Sequence, residues 1–115
     1  MKIAISATDN TLDALVDSRF GRCSWFLVVD SETMEYEAIK NENADAASGA
    51  GTSCAQLILE KGADALISGR VGPNAHEVLK QGAVTIFIAP SDSSVRETIQ
   101  KCVDNQLPKM EMKVY

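Results

Sequence analysis

The chain has no apolar run near the ~18 residues that a membrane-spanning helix needs. Its opening, MKIAISATDN, holds one Lys and only a short apolar stretch, less than the roughly 7–15 residues of a signal-peptide core. Both absences predict a cytoplasmic protein. Cysteine is sparse and odd in number (Cys23, Cys54 and Cys102), with no CxxC pair. That excludes a disulfide framework, a zinc ribbon and a thioredoxin-like dithiol. Histidine occurs once, at His76. Three Cys and one His make a Cys₃His set by count, but separations of 31, 22 and 26 residues match no metal-ligand pattern. GxSxG, HExxH, GxxxxGK[ST] and GxGxxG are all missing, so no hydrolase elbow, zincin, P-loop or dinucleotide fingerprint is present.

Positive charge is also short. Eleven Lys and Arg stand against sixteen Asp and Glu, a net of −5. The deficit is local: residues 1–60 carry four bases and ten acids, residues 61–115 seven and six. The acids crowd between Asp30 and Asp45, where Lys40 is the only base. Such a run reads as a solvated hairpin face. Nothing resembles the basic stripe that nucleic-acid binding requires.

At 115 residues the length suits one domain, 1–115, with a real core. Lys2–Ala7 and Trp25–Asp30 read as buried strands, and Met34–Lys40 alternates apolar and acidic as a half-exposed partner. After the small, polar stretch Asn41–Gly51 the period changes. Cys54, Leu57 and Ile58 form a helical stripe stopped by Gly62. Ala63–Ser68 is a strand, and Pro73 opens a helix with Ala75, Val78 and Leu79 inward and Gly82 at its end. Val84–Ala89 is the last strand. Ser94 and Glu97 form a capping box for a final helix facing inward through Val95, Ile99, Cys102 and Val103, with Asn105 as its left-handed stop.

LEKGADALI and LKQGAVTIF repeat at twenty residues, marking two successive αβ units. The order β-β-β-α-β-α-β-α predicts a five-stranded mixed sheet, 3-2-1-4-5, with strand 2 antiparallel and helices on both faces. Ile3, Ile5, Leu27, Val29, Leu66, Ile67, Ile86 and Ile88 are its expected core. The residues after strands 1, 3 and 4 then meet at the C-terminal edge, where ligands bind in open α/β sheets.

Those three loops are chemically unusual. Ser18–Cys23 (SRFGRC) puts Arg19 and Arg22 around Phe20 and Gly21. Ser48–Cys54 (SGAGTSC) places Gly49, Gly51, Thr52 and Ser53 at a helix start. Ser68–Ala75 (SGRVGPNA) sets Gly69, Arg70, Gly72 and Asn74 at another. Helix N-termini offer unpaired N–H groups and a positive dipole end, so each glycine loop is a candidate anion cradle. Taken singly, such a loop is more often just a tight strand-to-helix turn; it is the convergence of two of them beside the Arg-Phe-Gly-Arg loop on one edge that points to an anion site.

FGR at Phe20–Arg22, GAG at Gly49–Gly51 with AQLILEKGAD after it, and ISGRVGPNA at Ile67–Ala75 resemble the dinitrogenase iron-molybdenum cofactor biosynthesis family. This is the NifX-type domain, also found at the C-terminus of NifB proteins. The resemblance implies a ribonuclease-H-like α/β/α sandwich. It also implies a non-enzymatic carrier of an anionic iron–sulfur or molybdenum-containing cluster, working with cofactor-assembly proteins as a monomer or homodimer. Cys23, Cys54 and His76 are then candidate soft ligands. Cys23 could gain thiolate character beside Arg22; Cys54 sits equally on the inner helical stripe, and Cys102 reads as core. Strand 1, KIAISA, has no carboxylate, so the nuclease chemistry of that fold is not expected. The alternative function is a regulatory module binding a small molecule or nucleotide phosphate.

Overall fold

The computed structural model describes residues 1–44, 49–90 and 92–110. Five strands, β1 (Lys2–Ala7), β2 (Trp25–Asp30), β3 (Tyr36–Lys40), β4 (Ala65–Ser68) and β5 (Thr85–Ile88), form one sheet in the order β3-β2-β1-β4-β5. β1 pairs antiparallel with β2 and parallel with β4, and β4 pairs parallel with β5. This is the order and polarity that the sequence predicts. Strands β1 and β4 are covered on both faces, which is why their sequences are almost continuously apolar.

Helices α1 (Ala50–Glu60) and α2 (Pro73–Gln81) cover one face and α3 (Val95–Val103) the other. Two apolar cores result. Ala4, Phe26, Val28, Leu66 and Ile86 meet Cys54, Ile58 and Leu79 on the first side. Ile3, Ile5, Leu27, Val29 and Ile67 meet Val95, Ile99 and Cys102 on the second.

Several local expectations change. Val103, expected on the inner face of α3, is 45% exposed because it falls at the end of the helix, away from the Val95, Ile99 and Cys102 stripe. β5 is shortened to Thr85–Ile88. Ile88 is 37% exposed, because it is the last residue of β5, an edge strand. β3 starts at Tyr36, since Met34 adopts φ +64 to close the hairpin turn. β4 starts at Ala65, two residues later than the apolar run suggests. Gly62 is the left-handed stop of α1 (φ +71), but in α2 Gly82 is the helical cap (φ −83) and Ala83 takes the left-handed position (φ +60). Gly82 is also closely approached: a Cβ there would lie 2.1 Å from a Leu59 methyl, so that side chain would have to move.

Two segments close the sheet. Residues of the tail pair with the β5 edge, Ile88 N–H donating to Pro108 O at 2.8 Å and Met110 N–H to Ile86 O at 2.7 Å. The segment after β1 folds back on itself, Val16 bridging Ala7 and Leu15 bridging Ser94. That return carries Leu12 and Ala14 into the second core.

Candidate functional site

Strand order reverses between the parallel neighbours β1 and β4, and three close approaches pull the loops together at that point. Ser6 and Ser68, both fully buried, share a 2.9 Å hydroxyl contact, and Ser6 Oγ donates to Asp17 O at 2.5 Å. Gly69 lies directly under Ser18: a Cβ there would come within 2.9 Å of Ser18 backbone atoms. Arg19 and Arg70 then run side by side, with Phe20 N–H donating to Arg70 O at 3.3 Å.

The Phe20–Arg22 segment is a single 3₁₀ turn. Phe20 anchors it, buried edge-on against Phe26 with ring centroids 5.4 Å apart. Gly21 brings the turn onto the start of α1, where a Cβ would meet Gly51 N at 3.2 Å. Gly51 in turn leaves room for α2, its Cβ position lying 3.6 Å from that of Ala75. The first turns of α1 and α2 therefore face each other across a cleft of about 210 Å³, lined by Gly49, Gly51 and Thr52 on one side and Gly72, Asn74 and Ala75 on the other.

The N-termini of the three helices are treated differently. α3 is closed by protein: Val95 N–H donates to Ala14 O, Arg96 N–H to Leu12 O, and Glu97 N–H to Ser94 Oγ. α1 and α2 begin at Gly49 and Gly72, which have no capping side chain, and neither first turn holds an acid. First-turn N–H groups have no partner within their own helix. Both dipoles thus present their positive ends to the same glycine-lined space.

The arginines are not equivalent. Arg19 is gripped by Asp17 in a fork, Nε to Oδ1 at 3.1 Å and Nη2 to Oδ2 at 2.9 Å, while its own N–H also reaches Oδ1 at 2.9 Å. Burial pushes the Asp17 carboxyl up, but the Arg19 hydrogen bonds and charge outweigh it and hold Asp17 below the usual carboxylate range. Arg22 Nη1 donates to Ala44 O at 2.9 Å. Arg70 is exposed and makes no side-chain hydrogen bond or ion pair among the described residues.

Cys23 and Cys54 stand behind the cleft, both 0% exposed. Burial pushes the Cys23 thiol up to about 12 and the Cys54 thiol to about 11, with the neighbouring Cys54 adding to the Cys23 shift. The predicted lowering by Arg22 is not found, because Cys23 faces Phe20 O and Asn41 rather than the guanidinium. His76 lies apart, over a groove beside β5 with Lys80, Lys109 and Met110. Ser53 is exposed on α1 outside the cleft lining. Among the described residues no three His, Cys, Asp or Glu side chains gather closely enough to hold a metal ion.

Sequence reasoning missed two residues of this site. Asn41 is buried at the end of β3, donating to Cys23 O at 2.9 Å and Gly21 O at 3.2 Å. Its Oδ1 accepts from Asn43 N–H at 3.0 Å and Cys54 Sγ at 3.4 Å. It thereby ties the 3₁₀ turn to α1. The other is Asp17, one acid among ten in the first sixty residues. Its only cue was position, two residues before Arg19.

Comparison with known proteins agrees with this fold. The family model for dinitrogenase iron-molybdenum cofactor matches residues 1–105. The chain belongs to that family. It is 34% identical over 114 residues to an uncharacterised protein of Methanocaldococcus jannaschii, covering 96% of this chain and 92% of that one. The apo form of the orange protein from Desulfovibrio gigas superposes with a TM-score of 0.90 at 36% identity, over 95% of this chain and 92% of the other. The NMR structure of a Thermotoga protein proposed to be a NifB protein gives 0.84 at 30% identity, over 99% and 97%. No helix among the described residues is long and apolar enough to cross a membrane.

Proposed function

We propose that this chain is a carrier or assembly accessory, not an enzyme, which binds an anionic, sulfide-bearing iron–sulfur or molybdenum-containing cluster as cargo in the α1–α2 cleft. The observation that carries the reading is the pair of uncapped, acid-free helix N-termini opening onto one glycine-lined space. A cluster with its own sulfides needs few protein ligands. It needs N–H donors, positive potential and room for close backbone approach, and Gly49, Gly51, Gly72, Asn74 and Arg70 supply these. Family membership and the apo orange protein as neighbour support the same cargo class. Cys23 and Cys54 enter as direct ligands only if the wall at Asn41 opens. His76 would act only on a second, separate surface.

The net charge of −5 opposes anion capture at long range, but salt screens it beyond ~8–10 Å. Local amides and Arg70 then decide. Anaerobic reconstitution with iron, molybdate and sulfide should give a visible chromophore with co-eluting metal, weakened several-fold in Arg70→Ala and unchanged in Cys102→Ser. A colourless, metal-free wild type would refute the proposal. Thermal stabilisation by nucleotide or phosphate, with none by tetrathiomolybdate, would point instead to a phosphate-binding regulatory module.

A further inference from the structure

A carboxylate is out of place beside a site for anions, yet Asp17 sits there with its side chain only 6% exposed. It is held by the fold. Its backbone N–H donates to Ser6 O at 2.9 Å, and its carbonyl accepts from Ser6 Oγ. Those bonds place it where Arg19 runs alongside Arg70, at the mouth of the β1–β4 crevice. Both carboxylate oxygens are spent on Arg19. The pair therefore contributes no net charge beside a cleft with two positive helix ends, next to which Arg70 is exposed. A forked pair also fixes the guanidinium plane, so Arg19 is not free to fold over a bound anion.

We propose that Asp17 is the residue that keeps anion binding at this cleft reversible, by cancelling the charge of Arg19 beside Arg70 and the helix N-termini. The inference rests on the anion-binding reading above. It assigns Asp17 a positioning and charge-setting role rather than direct contact with cargo. A carrier has to release what it holds, and one surplus positive charge would oppose release.

The consequence is a gain of affinity on mutation, which a merely structural role would not produce. Asp17→Asn keeps the size and one acceptor oxygen while leaving Arg19 charged. For an assumed separation of about 10 Å between Arg19 and a bound dianion, at an effective dielectric near 20 and with one Debye length of screening, the gain is about three- to tenfold. Anaerobic titration with tetrathiomolybdate as the probe, at 50 and 300 mM salt, reads both affinity and its salt dependence. Asp17→Asn should bind about three- to tenfold more tightly than wild type and lose more of that affinity at high salt. The double variant Asp17→Asn/Arg19→Gln restores the original net charge and should return to within about twofold of wild type. If Asp17→Asn does not fold by circular dichroism, Arg19→Gln, which adds a net negative charge, should weaken binding by a similar factor.

Wild-type binding with an unchanged or weaker Asp17→Asn would overturn this inference and leave the cargo reading standing. A double variant that stays as tight as Asp17→Asn would overturn it too, since the gain would then come from loosened structure. No binding by wild type would remove the anion-binding reading itself.

Discussion

Replacing Asn41 should be among the most costly single changes in this protein, although in the sequence it is merely the first residue of the polar stretch Asn41–Gly51. Asn41→Leu keeps the side-chain volume and removes the amide. Cys23 O and Gly21 O then lose donors at 2.9 and 3.2 Å, Asn43 N–H loses an acceptor at 3.0 Å, and the Cys54 thiol loses its weak 3.4 Å partner. Each conventional bond contributes about 1 kcal/mol net, and a buried group left without a partner costs about 1–3 kcal/mol. Cys23 O is buried, whereas Gly21 O and Asn43 N–H are half-buried and can turn to water. The sum is about 3 kcal/mol, from a total stability of roughly 5–15. For a chain of this size that lowers Tm by about 12 °C, at roughly 4 °C per kcal/mol. Urea titration followed by Trp25 fluorescence suits the measurement, because Trp25 lies two residues beyond Cys23 and is half-buried. A loss below about 1 kcal/mol with an unchanged m-value would refute the idea that Asn41 ties the turn to α1.

Two further tests concern the same wall. Gly69→Ala should destabilise by about 2–3 kcal/mol through its clash with the Ser18 backbone, while Gly72→Ala, with nothing within 4 Å and an ordinary φ of −68, should leave urea stability almost unchanged. Similar effects from both would refute the close-approach account. The Cys23 and Cys54 thiols stay protonated in the folded chain to about 12 and 11, against an ordinary value of 9.0. Folded values raised above unfolded ones mean stability present below about pH 9 and lost as pH rises toward 11–12. Between pH 9 and 10.5 that is roughly 2 kcal/mol per thiol. Urea midpoints should fall accordingly, and fall less in the Cys23→Ala/Cys54→Ala double; equal falls would contradict the burial argument.

Strand order and helix stops were legible because they rest on short-range physics. Period two gives way to period 3.6 after Gly51, and the LEKGA and LKQGA repeats set two parallel crossovers. The three loops could be brought to one edge by topology alone. What stayed hidden depends on contacts distant in sequence. Asp17 and Arg22 look alike as loop charges until one is seen forking Arg19 and the other reaching Ala44 O. Leu12 and Ala14 carry no periodicity, so their burial under α3 had no local cue. Ile88 has a core-type side chain at the end of an edge strand, and the apolar run that contains it gives no local cue to its exposure. The cysteines illustrate the converse. Their type suggested thiolate chemistry, but burial decides their protonation.

The central position of β1 has a consequence for synthesis. Its first neighbour, β2, follows within twenty-three residues, but its other edge stays open until β4 is made, Ile5 waiting for Ile67. At about 5–20 residues per second, the interval from residue 7 to residue 68 lasts roughly 3–12 s. The cap on α3 asks for still longer memory, since Leu12 O and Ala14 O must be in place for Arg96 and Val95 N–H. The central strand of the sheet is thus born first and sealed late, with an unpaired edge that can template wrong pairings in the meantime. Slow elongation through residues 41–64 would lengthen that exposure, and a chaperone acting on the nascent chain would find its target at Lys2–Ala7.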